Sequence, residues 1–264
     1  MKVFFGASYY RVVEVPHFAA ALHLFAVVTG IKDVFLKFEP TWGDALIERS
    51  RARSATRFLE TSDADVWLSI DGDIHFDPLE VLTLCRQAIE FDVVGGLYAT
   101  RTRHEPIPAV RLEEGRRYDL SDSTPVPVTY PSTGMLAVHR RVFAALKDTL
   151  PLLHPSDPVL RHYPFFTPFP VEEGGELIGL SEDWAFVARA RAAGFGIYLN
   201  PAVKIKHFGM LEVTTEDLAA DRVEHKAQAI TRTSNTSYRV ERSRPADDGS
   251  ANALSLPGRG LVKV

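Results

Sequence analysis

The chain holds one cysteine, Cys85, among 264 residues, so an internal disulfide is impossible. The N-terminus lacks the basic, apolar and small-residue order of a secretion signal, and the expected setting is reducing cytoplasm. Long apolar runs are missing too. The longest, residues 18–28, is broken by His23 and is too short to cross a hydrocarbon core of about 30 Å, which argues against a transmembrane role. Neither charge sign dominates: 30 Lys and Arg stand against 34 Asp and Glu, for a net charge of −4. The global basic footprint of a nucleic-acid binder is therefore absent, although a local patch would suffice for a nucleic-acid acceptor. The chain has no internal repeat, P-loop, GxSxG or paired CxxC.

What is present describes one ordinary globular domain. With 45% hydrophobic residues, a chain of this length buries roughly 70–75% of the surface its unfolded form exposes. It needs no metal to build a core, so any metal would serve chemistry.

Strand and helix signals alternate from the start. Residues 2–5 read as a strand, and apolar residues from Val15 to Ala26 fall at helical spacing. Residues 34–38 form a second strand candidate. The next helix has Leu46, Ala52, Ala55, Phe58 and Leu59 inward and arginines between Arg49 and Arg57 mostly outward. Residues 66–70, VWLSI, suit a strand buried on both faces, and Pro78 opens a helix running through Ile89. Residues 92–98, 107–112 and 135–138 read as strands, and 140–147 as a short helix. The expected fold is α/β, with a mixed sheet flanked by helices.

Residues 150–175 carry six prolines and several aromatics without helical period, which suggests a substrate-binding loop or lid. Ser181 then suits the N-cap of a helix that stops at Gly194. Strands over 196–199 and 203–206 follow, with Asn200-Pro201 as their turn. A polar helix over 215–230 closes the domain at residue 230, and a polar, mobile tail is expected over 231–264.

The chemistry concentrates at a few places. Asp71-Gly72-Asp73 follows the buried strand, where open α/β sheets bind their ligands. Two carboxylates around a glycine suit a divalent cation that also holds phosphate oxygens; the same pattern also occurs as a plain turn. Glu182 and Asp183 complement a helix dipole or project a general base into the crevice. His207 ends the late strand, Arg53 is the arginine chosen to face a diphosphate, and Trp184 and the aromatics 163–169 suit either a sugar ring or the core.

Taken in order, these residues resemble a glycosyltransferase of the GT-A (Rossmann-like) fold, close to the large family-2 type. Three stretches carry the resemblance: VWLSIDGDIHFDP over 66–78, preceded by Arg53-Ser54; STGMLAV over 132–138, with the helix after it; and LSEDWAFVARARAAGFGIYLNPAVKIKH over 180–207. Ser54 departs from the asparagine common in the family.

The resemblance implies a mainly parallel central sheet and a UDP- or GDP-sugar as donor. It implies Mn²⁺ or Mg²⁺ held by Asp71, Asp73 and His207, with Ser8, Tyr9, Arg53, Asp71 and Gly72 around the nucleotide. Asp183, with Glu182 second, becomes the catalytic base if the anomeric centre inverts, and Thr133, Gly134 and Trp184 fall on the acceptor side. The acceptor itself is open: a glycan, a protein, a lipid-linked sugar, a small molecule or a modified nucleic acid.

Other readings compete. A strand running into Asp-x-Asp also resembles the opening of haloacid-dehalogenase-like phosphatases, with Asp71 as nucleophile, but the motif comes late here and the second acidic cluster lacks their spacing. A calcium loop through Asp71, Asp73 and Asp77 has Phe76 where a sharp turn needs Gly. A silent nucleotide-sugar or glycan binding protein on the same fold would bind donor without turning it over.

Overall fold

The computed structural model describes residues 1–100, 108–131, 133–209, 226–233 and 238–243. The first half runs β1 (Lys2–Phe5), β2 (Ser8–Tyr9), α1 (Val15–Thr29), β3 (Phe35–Phe38), β4 (Thr41–Trp42), α2 (Ile47–Thr61), β5 (Val66–Ile70), β6 (Ile74–His75), α3 (Pro78–Phe91) and β7 (Val93–Leu97). The second half continues with β8 (Arg117–Asp119), β9 (Val126–Pro127), β10 (Met135–His139), α4 (Arg140–Lys147), β11 (Pro170–Glu173), β12 (Glu176–Gly179), α5 (Glu182–Ala192), β13 (Ile197–Lys204), β14 (Lys206–His207), β15 (Lys226–Arg232) and β16 (Tyr238–Ser243).

Seven strands form the central sheet in the order β3-β1-β5-β10-β7-β13-β9. β3, β1 and β5 are mutually parallel, as are β7 and β13, while β10 lies antiparallel between β5 and β7, and β9 is antiparallel to β13. The mixed, mainly parallel sheet flanked by helices that the sequence implies is the one observed.

Strand alternation divides the core. Val66, Leu68 and Ile70 of β5 join Val3 and Phe5 of β1 against Ala20, Ala21 and Leu24 of α1 and Val81, Leu84 and Cys85 of α3. Trp67 points the other way, into a layer with Phe58 of α2, Phe143 of α4 and Phe186 of α5. All five β5 residues are buried, as the unbroken apolar run predicts for a strand covered on both faces. At the start of α3 the Asp77 side chain accepts hydrogen bonds from the amides of Leu79 and Glu80, and Pro78 fills the first turn, where no amide is needed.

Several expectations are corrected. Residues 108–112 form no strand; Pro108 and Arg111 make only single bridges, to Ala99 and Tyr130, and residue 107 lies outside the described residues. Asn200-Pro201 is not a turn: β13 runs through it as a bulge, pairing with β7 up to Asn200 opposite Gly96 and again at Lys204 opposite Leu97. The proline-rich stretch over 150–175 ends in a hairpin, β11 with β12, turned by Gly174 and Gly175 at φ +63° and +82°. Two consecutive positive φ values suit a tight hairpin, and glycine adopts them without strain. Tyr163, Phe165 and Phe166 are buried in the core, so these aromatics pack rather than line a lid.

Of the helix expected over 215–230, residues 215–225 lie outside the described residues, and the remainder is strand β15. β15 crosses the expected domain boundary at 230 and pairs with both β16 and β8. Ala229 and Ile230 are buried on it, which a polar helix would not provide. Residues 244–264 of the expected tail are outside the described residues.

Candidate active site

β5 delivers Asp71-Gly72-Asp73 to the carboxyl end of the sheet, and three separate segments hold the turn. The Asp71 amide donates to the Gly134 carbonyl (3.0 Å), the Glu14 amide to the Gly72 carbonyl (2.8 Å) and the Phe208 amide to the Asp73 carbonyl (2.8 Å). The Ile74 amide closes the turn onto the Asp71 carbonyl at 3.0 Å. With the Asp71 amide and all three carbonyls of the turn bonded within the protein, the turn presents its carboxylates from a fixed frame.

His207 arrives on β14, which pairs antiparallel with β6 so that His207 stands opposite Ile74. Its Nδ1 lies 3.0 Å from the Ala99 carbonyl oxygen. A carbonyl only accepts, so Nδ1 carries a proton, and Nε2 faces Asp73, with Oδ2 at 3.6 Å. Imidazoles that bind metals show this arrangement, with one ring nitrogen anchored by a carbonyl and the other available. Tyr98 packs edge-on against the His207 ring at 5.1 Å. The Tyr98 hydroxyl also explains Gly134: a Cβ there would stand 2.2 Å from it.

Among the described residues, no three His, Cys, Asp or Glu side chains gather to hold a metal unaided. Asp73 and His207 nevertheless fit a divalent cation held jointly with substrate phosphates. Mg²⁺ in particular is commonly bound by one or two protein groups together with phosphate oxygens.

Asp71 is engaged elsewhere, and by a residue the sequence reading passed over. Arg51 of α2 donates from Nη2 to Asp71 Oδ1 (2.7 Å) and from Nη1 to Glu182 Oε1 (2.5 Å). Its side chain is 3% exposed. Burial works against the charged guanidinium, yet the carboxylates of Asp71 and Glu182 more than offset it and raise its pKa. Arg53, the arginine chosen from sequence, instead lies 3.3 Å from Asp44, which also holds Arg49. The spacing held the signal: Arg51, Ala55 and Phe58 follow the inward i, i+4, i+7 stripe, whereas Arg49, Arg53 and Arg57 share another.

α5 brings Glu182 and Asp183 to the same crevice. Asp183 Oδ1 accepts from the Trp184 amide at 2.9 Å and from the Ser181 hydroxyl, so Ser181 precedes the helix without capping it through its side chain. Trp184 stacks on Tyr130 at 4.8 Å and 14°, which commits one face of its ring to protein. Thr133 is buried.

Tyr9 lies beside the turn, its ring 3.1 Å from where a Gly72 Cβ would stand. Its hydroxyl is 2.7 Å from His17 Nε2, and His17 Nδ1 donates to the Ile74 carbonyl at 2.8 Å, so the tyrosine is the donor in the first contact. The Ser8 hydroxyl is buried and without a hydrogen-bond partner among the described residues. Tyr9 and His17 also form a wall of an apolar cleft of about 340 Å³, lined further by Tyr10, Phe18, Phe38 and Trp42.

No protein-family model and no curated protein matches the chain. Solved structures resemble it at low identity. The A197 protein from STIV aligns with 16% identity and a TM-score of 0.48 over 80% of this chain and 87% of that one. GalNAc-T7 with UDP, GalNAc and Mn²⁺ aligns with 12% identity and a TM-score of 0.44, over 80% and 43%. S. aureus TarS 1-349 in complex with UDP-GlcNAc aligns with 14% identity and a TM-score of 0.42, over 82% and 63%. Each of these TM-scores lies below 0.5, so the activity of this chain has to be inferred from the geometry of its own site.

Proposed function

We propose that the protein is a metal-dependent glycosyltransferase of GT-A type, family-2-like, that moves a sugar from a UDP- or GDP-sugar to an acceptor hydroxyl or amine. The observation that carries this reading is the meeting at one crevice of the Asp71-Gly72-Asp73 turn, His207, and the Glu182-Asp183 helix start, from three parts of the chain. Each belongs to one of the stretches on which the family resemblance rests.

Asp73 and His207 would hold Mn²⁺ or Mg²⁺ against the donor's diphosphate. The cation supplies Lewis-acid stabilisation of the charge that grows on the departing nucleoside diphosphate. Tyr9, fixed by His17, and Ser8, with its buried hydroxyl, would border the nucleoside. In an inverting transfer, Asp183 would accept the acceptor's proton as the acceptor oxygen or nitrogen bonds to the anomeric carbon and the carbon–phosphate-oxygen bond breaks, which leaves the electron pair on the nucleoside diphosphate.

Calorimetric titration with UDP, GDP, CDP and their sugar conjugates, with and without Mn²⁺, tests the reading. Metal-dependent binding of one nucleotide is expected, with slow hydrolysis of its sugar conjugate and loss of the metal-dependent part in Asp73→Asn. Binding without hydrolysis would favour a silent binding protein. If no nucleotide binds, the transferase reading fails, and phosphatase substrates with Asp71 as nucleophile come next.

A further inference from the structure

Among the described residues of this crevice Arg51 is the buried cation, and its two arms reach opposite sides of it. One arm holds Asp71 on the turn assigned to the diphosphate; the other holds Glu182 at the start of the helix that carries Asp183. Away from this bridge the joined elements meet in the core: α2 and α5 pack against the same layer, and β5 enters it through Trp67. Arg51 Nε has no partner among the described residues, so the polar contact of its side chain there is this pair of carboxylates. A planar guanidinium fixes two acceptors in one plane at set distances, whereas an ammonium cannot.

Resting on the transferase reading, we infer that Arg51 is a positioning residue that sets the base-bearing start of α5 against the donor turn, with Glu182 as its anchor rather than a second base. Asp183 then takes its place from Arg51 through the neighbouring residue. Loss of the bridge lets the helix start drift while the cation and diphosphate contacts of Asp73 and His207 persist. The defect therefore falls on turnover and spares donor affinity.

The test uses the full chain, with nucleoside diphosphate plus Mn²⁺ for binding and hydrolysis of the nucleotide sugar for turnover. Arg51→Lys keeps the charge and loses the fork. Glu182→Ala removes the acceptor of the second arm from a partly exposed position, which makes it the safer variant for folding. Misplacing a base by about 1 Å costs up to roughly 100-fold, so each is expected to lower kcat by roughly 10- to 100-fold. Each should keep Kd for the diphosphate within about threefold, a change under 1 kcal/mol. The double variant should lose little beyond either single one, since both cut the same link.

Unchanged kcat in Glu182→Ala, or multiplied losses in the double variant, would overturn the positioning role while leaving the transferase reading intact. Failure of the wild type to bind any nucleotide with Mn²⁺ overturns the transferase reading, and the positioning role with it.

Discussion

A single histidine shows how the site sets its own pH limits. His17 is buried, and burial lowers its pKa below the usual value; the Ile74 carbonyl and the charges of Asp71 and Asp73 oppose that shift without reversing it. The neutral ring is the form the fold needs, because its Nε2 accepts from Tyr9. An unfolded chain takes up the proton once pH drops below about 6.5. The stabilisation from His17 is thus complete above that pH and is lost as pH falls toward the lowered folded value. Denaturant unfolding of wild type and His17→Gln at pH 7.5 and 5.5 checks this. The wild type should lose more stability on acidification, by at most about 1.4 kcal/mol per pH unit for one proton. Equal losses in both proteins would show that other groups carry the acid sensitivity. The position of Tyr9 just after the first strand was legible in the sequence, but its contact with His17 was not. His17 reads there as one polar interruption in an apolar helix, and its partner lies 57 residues away at Ile74.

Among the elements, α4 shows how side chains of one short helix tie a layer together. Phe143 is buried and sits 5.4 Å from Trp67 of β5, 5.1 Å from Phe186 of α5 and 5.0 Å from Phe165, with Phe58 of α2 at 6.1 Å. These rings come from β5, α5, α2 and the loop that carries Phe165, so removing Phe143 opens a cavity that none can close alone. Phe143→Ala is expected to cost about 3–5 kcal/mol in denaturant unfolding, within the range for a fully buried aromatic. A loss below about 1 kcal/mol would mean that the neighbouring rings collapse into the gap.

The same layer marks what sequence reasoning reaches. β1, β5, α3 and α5 were legible because each carries a local pattern: an unbroken apolar run, a capped start, a Gly stop. The proline-rich aromatics over 163–169 were not placed, because burial of Phe165 and Phe166 is decided by Trp67 and Phe186, far off in sequence. β15 was missed for the same reason. Its strand form depends on β8 and β16, whereas its residues taken alone have no aversion to helix. At the site, Asp73 and His207 stand side by side, while Arg51, which holds Asp71, had only its inward spacing to distinguish it from the other arginines of α2.

Taken as a whole, the molecule has a site assembled by distant chain segments, so ligand binding should register in global stability. The proposed Asp73–His207 seat joins the turn after β5 to β14, and Arg51 joins the turn and α2 to α5. A ligand that binds only the folded assembly stabilises it by an amount set by its concentration relative to Kd, about 2.7 kcal/mol at a hundredfold excess. Two protein donors make a weak seat for a cation alone, whereas a diphosphate adds oxygens that complete its shell. Mn²⁺ by itself should therefore shift the thermal midpoint little, UDP or GDP by itself little, and the pair together by several degrees. The surplus over the sum of the two separate shifts measures their coupling through the site. In Asp73→Asn that surplus should vanish, because the substitution removes the carboxylate charge from the proposed seat while keeping the side chain's shape. A surplus that survives Asp73→Asn would place the cation away from this turn. A surplus absent from the wild type would mean that nucleotide and metal do not share a site, and the common seat built from Asp73 and His207 would fall.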